Sequence, residues 1–330
     1  RTFINARDIR EVIFVRGATE GINLVASSWG RKNLSAGDEI ILSVMEHHSN
    51  IVPWQLIAEQ TGALLKVVPI SDNGSLDMDA YAEMVCAKTK IVAITHISNS
   101  LGTITPVDEI IRIAHEKDVP VLLDGCQAAP HMELDMQALD VDFYVFSGHK
   151  IYGPSGIGVL YGKEKLLDAM PPYHGGGEMI DVVTFEKTTY ADLPFKFEAG
   201  TPHISGIIGM GAAIDYINMV GIDKVAAHEQ DLLEYGTSRL CGVNSLKLIG
   251  TAPQKAAILS FVMEKIHPHD VGTILDREGV AVRTGHHCAQ PVMDRYDIAA
   301  TIRASIGMYN TREEIDLLVA GLERVQEIFG

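Results

Sequence analysis

The sequence predicts an α/β protein whose central sheet is mainly parallel. Short runs rich in Val, Ile and Leu recur through the first 150 residues, and stretches with apolar residues at helical spacing lie between several of them. Strands that are apolar along their whole length are typical of a sheet that helices cover on both faces. The predicted strands are 11–15, 38–44, 64–70, 90–97, 119–125 and 141–148.

The segments between these strands carry helical patterns. INLVASSWG (22–30) follows the first strand, a helix-like run occupies 50–62, and PVDEIIRIAHEKD (106–118) is amphipathic. The most apolar long stretch, GIIGMGAAIDYINMVG (206–221), contains Asp215 and is too short to span a bilayer. We therefore expect a well-buried helix there.

The pattern changes after about residue 220, although no linker rich in Pro or Gly marks the change. We predict a large domain over 1–220 and a small α+β domain over 221–330, with a ligand site at their junction. The small domain is predicted to contain a long helix (222–242), strand-like runs LKLIG, AAILSFVME and VAVRTG, a helix over HPHDVGTILDREG and a terminal helix over REEIDLLVAGLERVQEIFG.

Composition excludes several classes of protein. The net charge of −16 leaves no basic face for nucleic acid, and no run is long and apolar enough to predict a membrane span. Four scattered cysteines without a CxxC pair, and no secretory signal pattern, predict a reducing cytoplasm. The chain has no initiator Met and opens almost directly on a strand, so we expect it to begin inside a longer protein.

Polar residues follow the predicted strands, and in a parallel sheet such residues converge at the carboxyl edge, where ligands bind. The segments are GATEG (17–21), EHHSN (46–50), SNS (98–100), DGCQ (124–127) and SGHK (147–150).

This set of residues matches what pyridoxal 5′-phosphate requires. A lysine in an apolar setting, here Lys150, can lose its proton and form a Schiff base. A carboxylate, here Asp124, can keep a pyridine nitrogen protonated, which makes the ring an electron sink. Ser147, His149 and the 17–21 turn can donate to a phosphate. Each residue alone has an ordinary explanation in a turn or on the surface, but their common edge favours the cofactor.

At these residues the sequence resembles the cysteine desulfurases of the class V aminotransferase family, in particular the group II (SufS/CsdA-type) enzymes. The resemblance runs almost end to end, and EHHSNIVPW (46–54) and MYNTREEID (308–316) extend it. The motifs that carry it are DGCQA (124–128), SGHKIYGP (147–154), EAGTP (198–202) and RTGHHCAQP (283–291).

The resemblance implies the fold-type I architecture of pyridoxal-phosphate transferases and a homodimer. It also implies a role for each matching residue. Lys150 would bind the cofactor covalently, Asp124 would pair with the pyridinium, Gln127 would bond the phenolate oxygen, His47 would stack on the ring and take part in catalysis, Thr19, Ser147 and His149 would hold the phosphate, Thr201 would reach the phosphate of the neighbouring subunit, and Arg303, Asn99 and Arg283 would bind the substrate.

The implied reaction converts L-cysteine to L-alanine, leaves a persulfide on Cys288 and passes the sulfur to an acceptor protein, for iron–sulfur clusters or another sulfur supply. Lys150 would take the Cα proton of the substrate. The attacking group must be the thiolate, and Arg283 or His287 could lower the pKa of Cys288. Cys126 is interpreted as a structural cysteine beside the cofactor.

Two departures from the family are visible. Family members usually carry several tens of residues before the point where this chain starts, and that segment helps to cover the active site and the dimer surface. The turn GATEG also replaces the commoner GTTEA, a mild change if backbone N–H groups do most of the phosphate binding.

Other interpretations remain beside this one. The contiguous His-His-Cys run lacks the two-to-four-residue spacing typical of a zinc site, and a small buried cysteine on a turn is the plain alternative for Cys288. A selenocysteine lyase would share the pocket, and a kynureninase-like hydrolase is a further alternative. A transaminase would leave Cys288 unexplained. A truncated, non-catalytic scaffold is the alternative outside enzymes.

Overall fold

The computed structural model describes residues 1–329, and its larger part is built on a seven-stranded sheet of order β1-β7-β6-β5-β4-β2-β3. Only β7 runs against the other strands, since it pairs antiparallel with both β1 and β6. The predicted α/β fold with a mainly parallel sheet is confirmed. The strands are Val12–Val15 (β1), Glu39–Ser43 (β2), Leu64–Val68 (β3), Thr89–Thr95 (β4), Val121–Asp124 (β5), Phe143–Ser147 (β6) and Gly158–Gly162 (β7).

Strand β7, which the sequence analysis missed, lies next to the turn that follows β1. A Cβ atom on Gly158 would lie 2.7 Å from the Cα of Gly17 and 2.6 Å from the carbonyl oxygen of Phe146. The glycine therefore lets the strand approach this turn closely. The same residue made the strand hard to predict, because glycine is depleted in strands.

Helices cover both faces of this sheet, because successive residues of a strand point to opposite faces. Ile40 and Leu42 belong to one hydrophobic cluster, with the helices that follow β1 and β2, whereas Ile41 belongs to the other, with the helix before β5. The helices here are Ala18–Leu24 (α1), Gly30–Asn33 (α2), Val52–Thr61 (α3), Met78–Met84 (α4), Val107–His115 (α5), Met136–Leu139 (α6) and Glu164–Ala169 (α7). A π-helical turn, Val25–Trp29, joins α1 to α2.

The apolar helix α8, Ile204–Val220, differs from expectation. Only Gly206, Met210, Ala213 and Ile217 are buried. They lie on one stripe, while Ile208 and Met219 on the other side are 68% and 74% exposed. The prediction of a well-buried helix is wrong for the single chain, because apolar composition all round does not show which face has a partner. Within residues 1–329 no single helix could cross a membrane by length and composition, and α8 passes only together with the next helix, at a bend of 73°.

The chain after Gly221 builds a separate four-stranded antiparallel sheet of order β10-β11-β13-β12. Its apolar residues pack with the helices of this region into a third cluster. The predicted strand VAVRTG is shorter than expected, at Arg283–Gly285, and β13 was not predicted. The elements are Ile222–Cys241 (α9), Leu246–Ile249 (β10), Ile258–Met263 (β11), Pro268–Arg277 (α10), Arg283–Gly285 (β12), Gln290–Tyr296 (α11), Thr301–Ser305 (β13) and Arg312–Phe329 (α12), and a hairpin of Ile180–Val183 (β8) and Thr188–Tyr190 (β9) precedes them.

Candidate active site

A cavity of about 120 Å³ lies where the carboxyl edge of the large sheet meets the small sheet. The parallel neighbours β4, β5 and β6 end there, at Thr95, Asp124 and Ser147. Most of the predicted site residues line this cavity, and Cys288 and Thr201 do not. The predicted residues that line it are Thr19, His47, Asn99, Asp124, Gln127, Ser147, His149, Lys150, Arg283 and Arg303.

Lys150 lies on a 3-10 turn, Gly148–Lys150, directly after β6. A Cβ atom on Gly148 would come within 2.8 Å of the Ile157 side chain, so glycine allows this turn to pack tightly. Burial, followed by the nearby guanidinium groups of Arg303 and Arg283, lowers the pKa of the Lys150 ammonium. A larger fraction of the amine is therefore neutral, as covalent attachment of an aldehyde cofactor requires.

Asp124 is a nearly inaccessible carboxylate, 5% exposed, at the end of β5. It accepts a hydrogen bond from the Cys126 backbone N–H at 3.0 Å, and burial raises its pKa. A carboxylate in such a position is stabilised by a cationic partner. The protonated nitrogen of a pyridine ring would supply that positive charge, so Asp124 fits a pyridoxal cofactor.

His47 begins the 3-10 turn His48–Asn50 after β2, and its ring is fixed by its neighbour. Its Nδ1 accepts from the Ser49 backbone N–H at 3.1 Å and lies 2.8 Å from the Ser49 hydroxyl. Burial lowers the pKa of His47. The imidazole is therefore a neutral ring with its proton on Nε2, suited to contact with a flat cofactor.

The predicted phosphate-binding residues surround the start of α1. The Ala18 backbone N–H donates to Ser147 Oγ at 2.9 Å, which ties the Gly17 turn to the end of β6. Thr19 is in the first turn of the helix, and His149 follows on the neighbouring loop. The arrangement gathers hydroxyl groups and free helix N–H groups at one end of the cavity, as an anion requires.

Two arginines face each other at the opposite end of the cavity. Arg283 on β12 and Arg303 on β13 are directly opposite partners in the small sheet. Arg303 donates from Nη1 to the Asn99 carbonyl at 2.7 Å, but its Nε is buried without a hydrogen-bond partner. Burial, then the charge of Arg283, lowers the pKa of Arg303 to about 10. Like charges opposite each other are unfavourable unless an anion lies between them, so this end fits a carboxylate.

Cys288 lies on the turn that follows β12, beside the cavity. Its Sγ is 3.9 Å from Nη2 of Arg283. His287 also lines the cavity, but its Nε2 lies 2.8 Å from Thr301 Oγ1, and burial lowers its pKa to about 4. The suggestion that His287 lowers the pKa of the thiol is therefore corrected, because an uncharged imidazole supplies no positive charge at neutral pH. Arg283 is the cation in contact with Cys288.

The other predicted residues take different positions. Asn99 lines the cavity, but its Nδ2 donates to the His287 carbonyl at 2.6 Å, so this amide already has a partner in the chain. Thr201 lines a separate cavity of about 440 Å³ together with Arg16 and Glu20. Cys126 lies against Ser147 Oγ at 3.7 Å, and burial raises its pKa well above the usual value.

Sequence reasoning missed two residues, Glu46 and His48, whose hydrogen bonds support the site. Glu46 is completely buried and accepts hydrogen bonds from Asn50 Nδ2 at 2.7 Å and the Thr95 backbone N–H at 3.1 Å. His48, two residues after Glu46, donates a backbone hydrogen bond to the Cys288 carbonyl. Both belong to the EHHSN segment, so that motif was the available signal. In the part of the chain that the structure describes, no cluster of three or more His, Cys, Asp or Glu is placed to hold a metal ion.

The chain resembles known proteins in sequence and in structure. The chain is 53% identical over 326 residues to a cysteine desulfurase from Synechococcus elongatus, covering 99% of this chain and 52% of that protein, so the chain spans about half the length of this relative. The crystal structure of the Escherichia coli cysteine desulfurase CsdA, in its S-sulfonic acid form, superposes with a TM-score of 0.96 at 39% identity, over 99% of this chain and 82% of CsdA.

A more distant structure bears on the cofactor. A lysine-to-alanine mutant of C-DES, which has glycine covalently linked to its pyridoxal-phosphate cofactor, superposes with a TM-score of 0.85 at 25% identity, over 97% of this chain and 82% of that chain. The aminotransferase class-V family model matches residues 1–318. The chain therefore belongs to the aminotransferase class-V family.

Proposed function

We propose that this chain is a pyridoxal-phosphate-dependent cysteine desulfurase, which converts L-cysteine to L-alanine and carries the sulfur as a persulfide on Cys288. One observation carries the proposal. The Cys288 thiol contacts Arg283 at 3.9 Å, and Arg283 lines the same cavity as the half-buried Lys150 and the buried Asp124. A candidate nucleophile, an anion site and a cofactor site therefore adjoin one another, and the relatives from Synechococcus elongatus and Escherichia coli named above are cysteine desulfurases.

Residues that line the cavity would hold pyridoxal 5′-phosphate. When bound, the cofactor supplies an electron sink for negative charge that develops at the substrate's Cα. Lys150 would hold it covalently and Asp124 would pair with its ring nitrogen. The remaining contacts would come from His47 on the ring, Gln127 at the phenolate oxygen, and Thr19, Ser147 and His149 at the phosphate.

The chain's own groups orient the substrate and move its proton. Arg303 and Arg283 would bind the carboxylate, because they are the two cations at that end and one of them has an unpartnered buried Nε. Asn99 contributes indirectly through its carbonyl contact with Arg303. Lys150, released when the amine of the substrate takes its place, then accepts the proton from Cα at its neutral Nζ.

Cys288 performs the sulfur step. Its thiolate attacks the sulfur of L-cysteine, so an S–S bond forms and the substrate's Cβ–S bond breaks. The electron pair of the broken bond stays with the three-carbon fragment, which takes up protons and leaves as alanine. A thiol of an acceptor protein would then remove the outer sulfur by exchange. Iron–sulfur clusters are the typical destination of sulfur from such enzymes, and L-selenocysteine would fit the same carboxylate and sulfur positions.

We further propose a homodimer in which Thr201 reaches the phosphate of the partner subunit. The exposed apolar side of α8, with Ile208 and Met219, supports a covered surface, and Thr201 lines a cavity apart from its own active site. We divide the two domains at Gly221, between α8 and α9. The free state of all four cysteines supports a cytoplasmic location.

The test measures alanine and sulfide from protein reconstituted with pyridoxal phosphate and given L-cysteine and a thiol reductant. Wild type and the control Cys241→Ala, an exposed cysteine on α9, should release equal amounts of both products. Cys288→Ala should release neither. Undiminished sulfide from Cys288→Ala would overturn the nucleophile, whereas a yellow wild type that is inactive with L-cysteine would overturn the substrate. A wild type that binds no cofactor would favour the non-catalytic scaffold.

A further inference from the structure

The Cys288 turn is held in a backbone conformation that its residues do not favour. His287 and Cys288 have φ angles of 53° and 56°, two successive non-glycine residues in the left-handed region. Residues with a β-carbon adopt this region at a cost in free energy, so the surrounding structure must stabilise it.

The stabilising contacts come from loops of the large domain. The His48 backbone N–H donates to the Cys288 carbonyl at 2.7 Å, and the Gln290 backbone N–H donates to Nε2 of the His48 ring at 3.2 Å. Asn99 Nδ2 donates to the His287 carbonyl. His48 therefore bonds to the chain at Cys288 and again two residues later, and it is 242 residues away from Gln290 in sequence.

The two adjacent histidines thus use opposite nitrogens. His47 accepts a hydrogen bond at Nδ1 from its own turn and lines the cavity, whereas His48 accepts at Nε2 from the nucleophile turn. Because an accepting ring nitrogen carries no proton, the proton of a neutral His48 is on Nδ1. One short segment therefore contacts both the cofactor site and the turn that carries the thiol.

We propose that His48 is a positioning residue for Cys288: its ring holds the 287–290 turn so that the thiol stays beside Arg283 at the mouth of the cavity. The proposal rests on the function proposed above for Cys288. It assigns no proton transfer and no substrate contact to His48. Loss of the ring acceptor should loosen the turn and slow the sulfur step, while cysteine still binds through Arg303.

The variants separate the ring acceptor from everything else that His48 contributes. His48→Gln places an amide oxygen close to the position of Nε2, His48→Asn carries the same group on a side chain one bond shorter, and His48→Leu has no acceptor. All three keep the backbone N–H that bonds to Cys288. His269→Leu, an exposed histidine on α10, controls for the loss of a histidine elsewhere in the chain.

Hydrogen exchange of the Gln290 amide is the first readout, because it reports the anchor without any turnover. We expect exchange about tenfold faster in His48→Leu and His48→Asn, since the amide loses its hydrogen bond to the ring, and near wild-type exchange in His48→Gln and His269→Leu. Equal exchange in wild type and all the variants would overturn the anchor. If His48→Leu does not fold, the Gln and Asn pair decides the matter alone.

Kinetics with L-cysteine are the second readout. We expect kcat to fall about tenfold in His48→Leu and His48→Asn with KM nearly unchanged, and His48→Gln to restore kcat. Faster exchange in the variants together with an inactive wild type would leave the anchor standing and refute the desulfurase. Unchanged kcat in variants with faster exchange would refute the link between the anchor and the sulfur step.

Discussion

The carboxyl edge of the large sheet and the Cys288 turn contribute to one site, but they are built in different ways. Asp124 and Ser147 are the last residues of strands that pair with neighbours on both sides, so backbone hydrogen bonds fix their positions. Cys288 lies on a turn with two unfavourable φ angles, held by a few hydrogen bonds from His48 and Asn99. Backbone pairing therefore holds the proposed cofactor-binding edge rigidly, whereas the proposed nucleophile depends on contacts that substitutions can remove one at a time.

Removing the amine at the rigid edge should have the largest effect. We expect Lys150→Ala to lower the rate of alanine formation by about 10³-fold or more, because both covalent attachment and the proton acceptor are lost. The measurement is alanine release, together with the visible absorption of the bound cofactor. Lys165→Ala, an exposed lysine on α7, should behave like wild type. A rate for Lys150→Ala within tenfold of wild type would contradict this assignment.

The two cysteines near the site sharpen the comparison further. Burial raises the pKa of Cys126 well above the usual value, whereas Cys288 lies half-buried on the turn beside a guanidinium. Because the thiolate is the reactive form, we expect iodoacetamide to modify Cys288 at least about a hundredfold faster than Cys126 at neutral pH. Mass spectrometry of the corresponding peptides measures both rates in one sample. Comparable rates of modification at Cys288 and Cys126 would show that Cys126 is more accessible than the structure indicates.

The arginine pair lies where the two regions meet. We expect Arg303→Met to raise KM for L-cysteine about 10- to 30-fold through loss of a charged hydrogen bond to the carboxylate. The free energy of unfolding should change by no more than about 1 kcal/mol, because the substitution also relieves a buried charge opposite Arg283. Arg303→Lys should give an intermediate KM. A large loss of stability with unchanged KM would instead make Arg303 a structural residue.

The same contrast explains what the sequence could predict. The sequence predicts the residues at the strand ends, because apolar runs locate the strands. Parallel pairing then brings the residues after these strands to one edge of the sheet, as Asp124 and Lys150 show. The position of Cys288 depends on domain packing and on left-handed backbone angles, which no local pattern of side chains specifies. Its proposed role came from a resemblance to known enzymes. The exposed side of α8 shows the same limit, since composition gives the polarity of a helix but not its partner.

The buried acid Glu46, next to His47 in the sequence, provides a prediction about stability. Burial raises the pKa of Glu46 from 4.5 to about 7, so between these pH values the folded protein binds more protons than the unfolded chain. The stability contributed by protonated Glu46 is therefore fully present below about pH 4.5 and is lost as the pH rises towards 7. We expect wild type to lose about 1 to 3 kcal/mol of unfolding free energy across this range relative to Glu46→Gln, whose side chain does not titrate.

Urea titrations at several pH values measure the difference, and Glu59→Gln on the exposed side of α3 is the control. If the wild-type and Glu46→Gln curves run parallel, the pKa of Glu46 is the same in the folded and unfolded states, and the hydrogen bonds from Asn50 and Thr95 offset its burial.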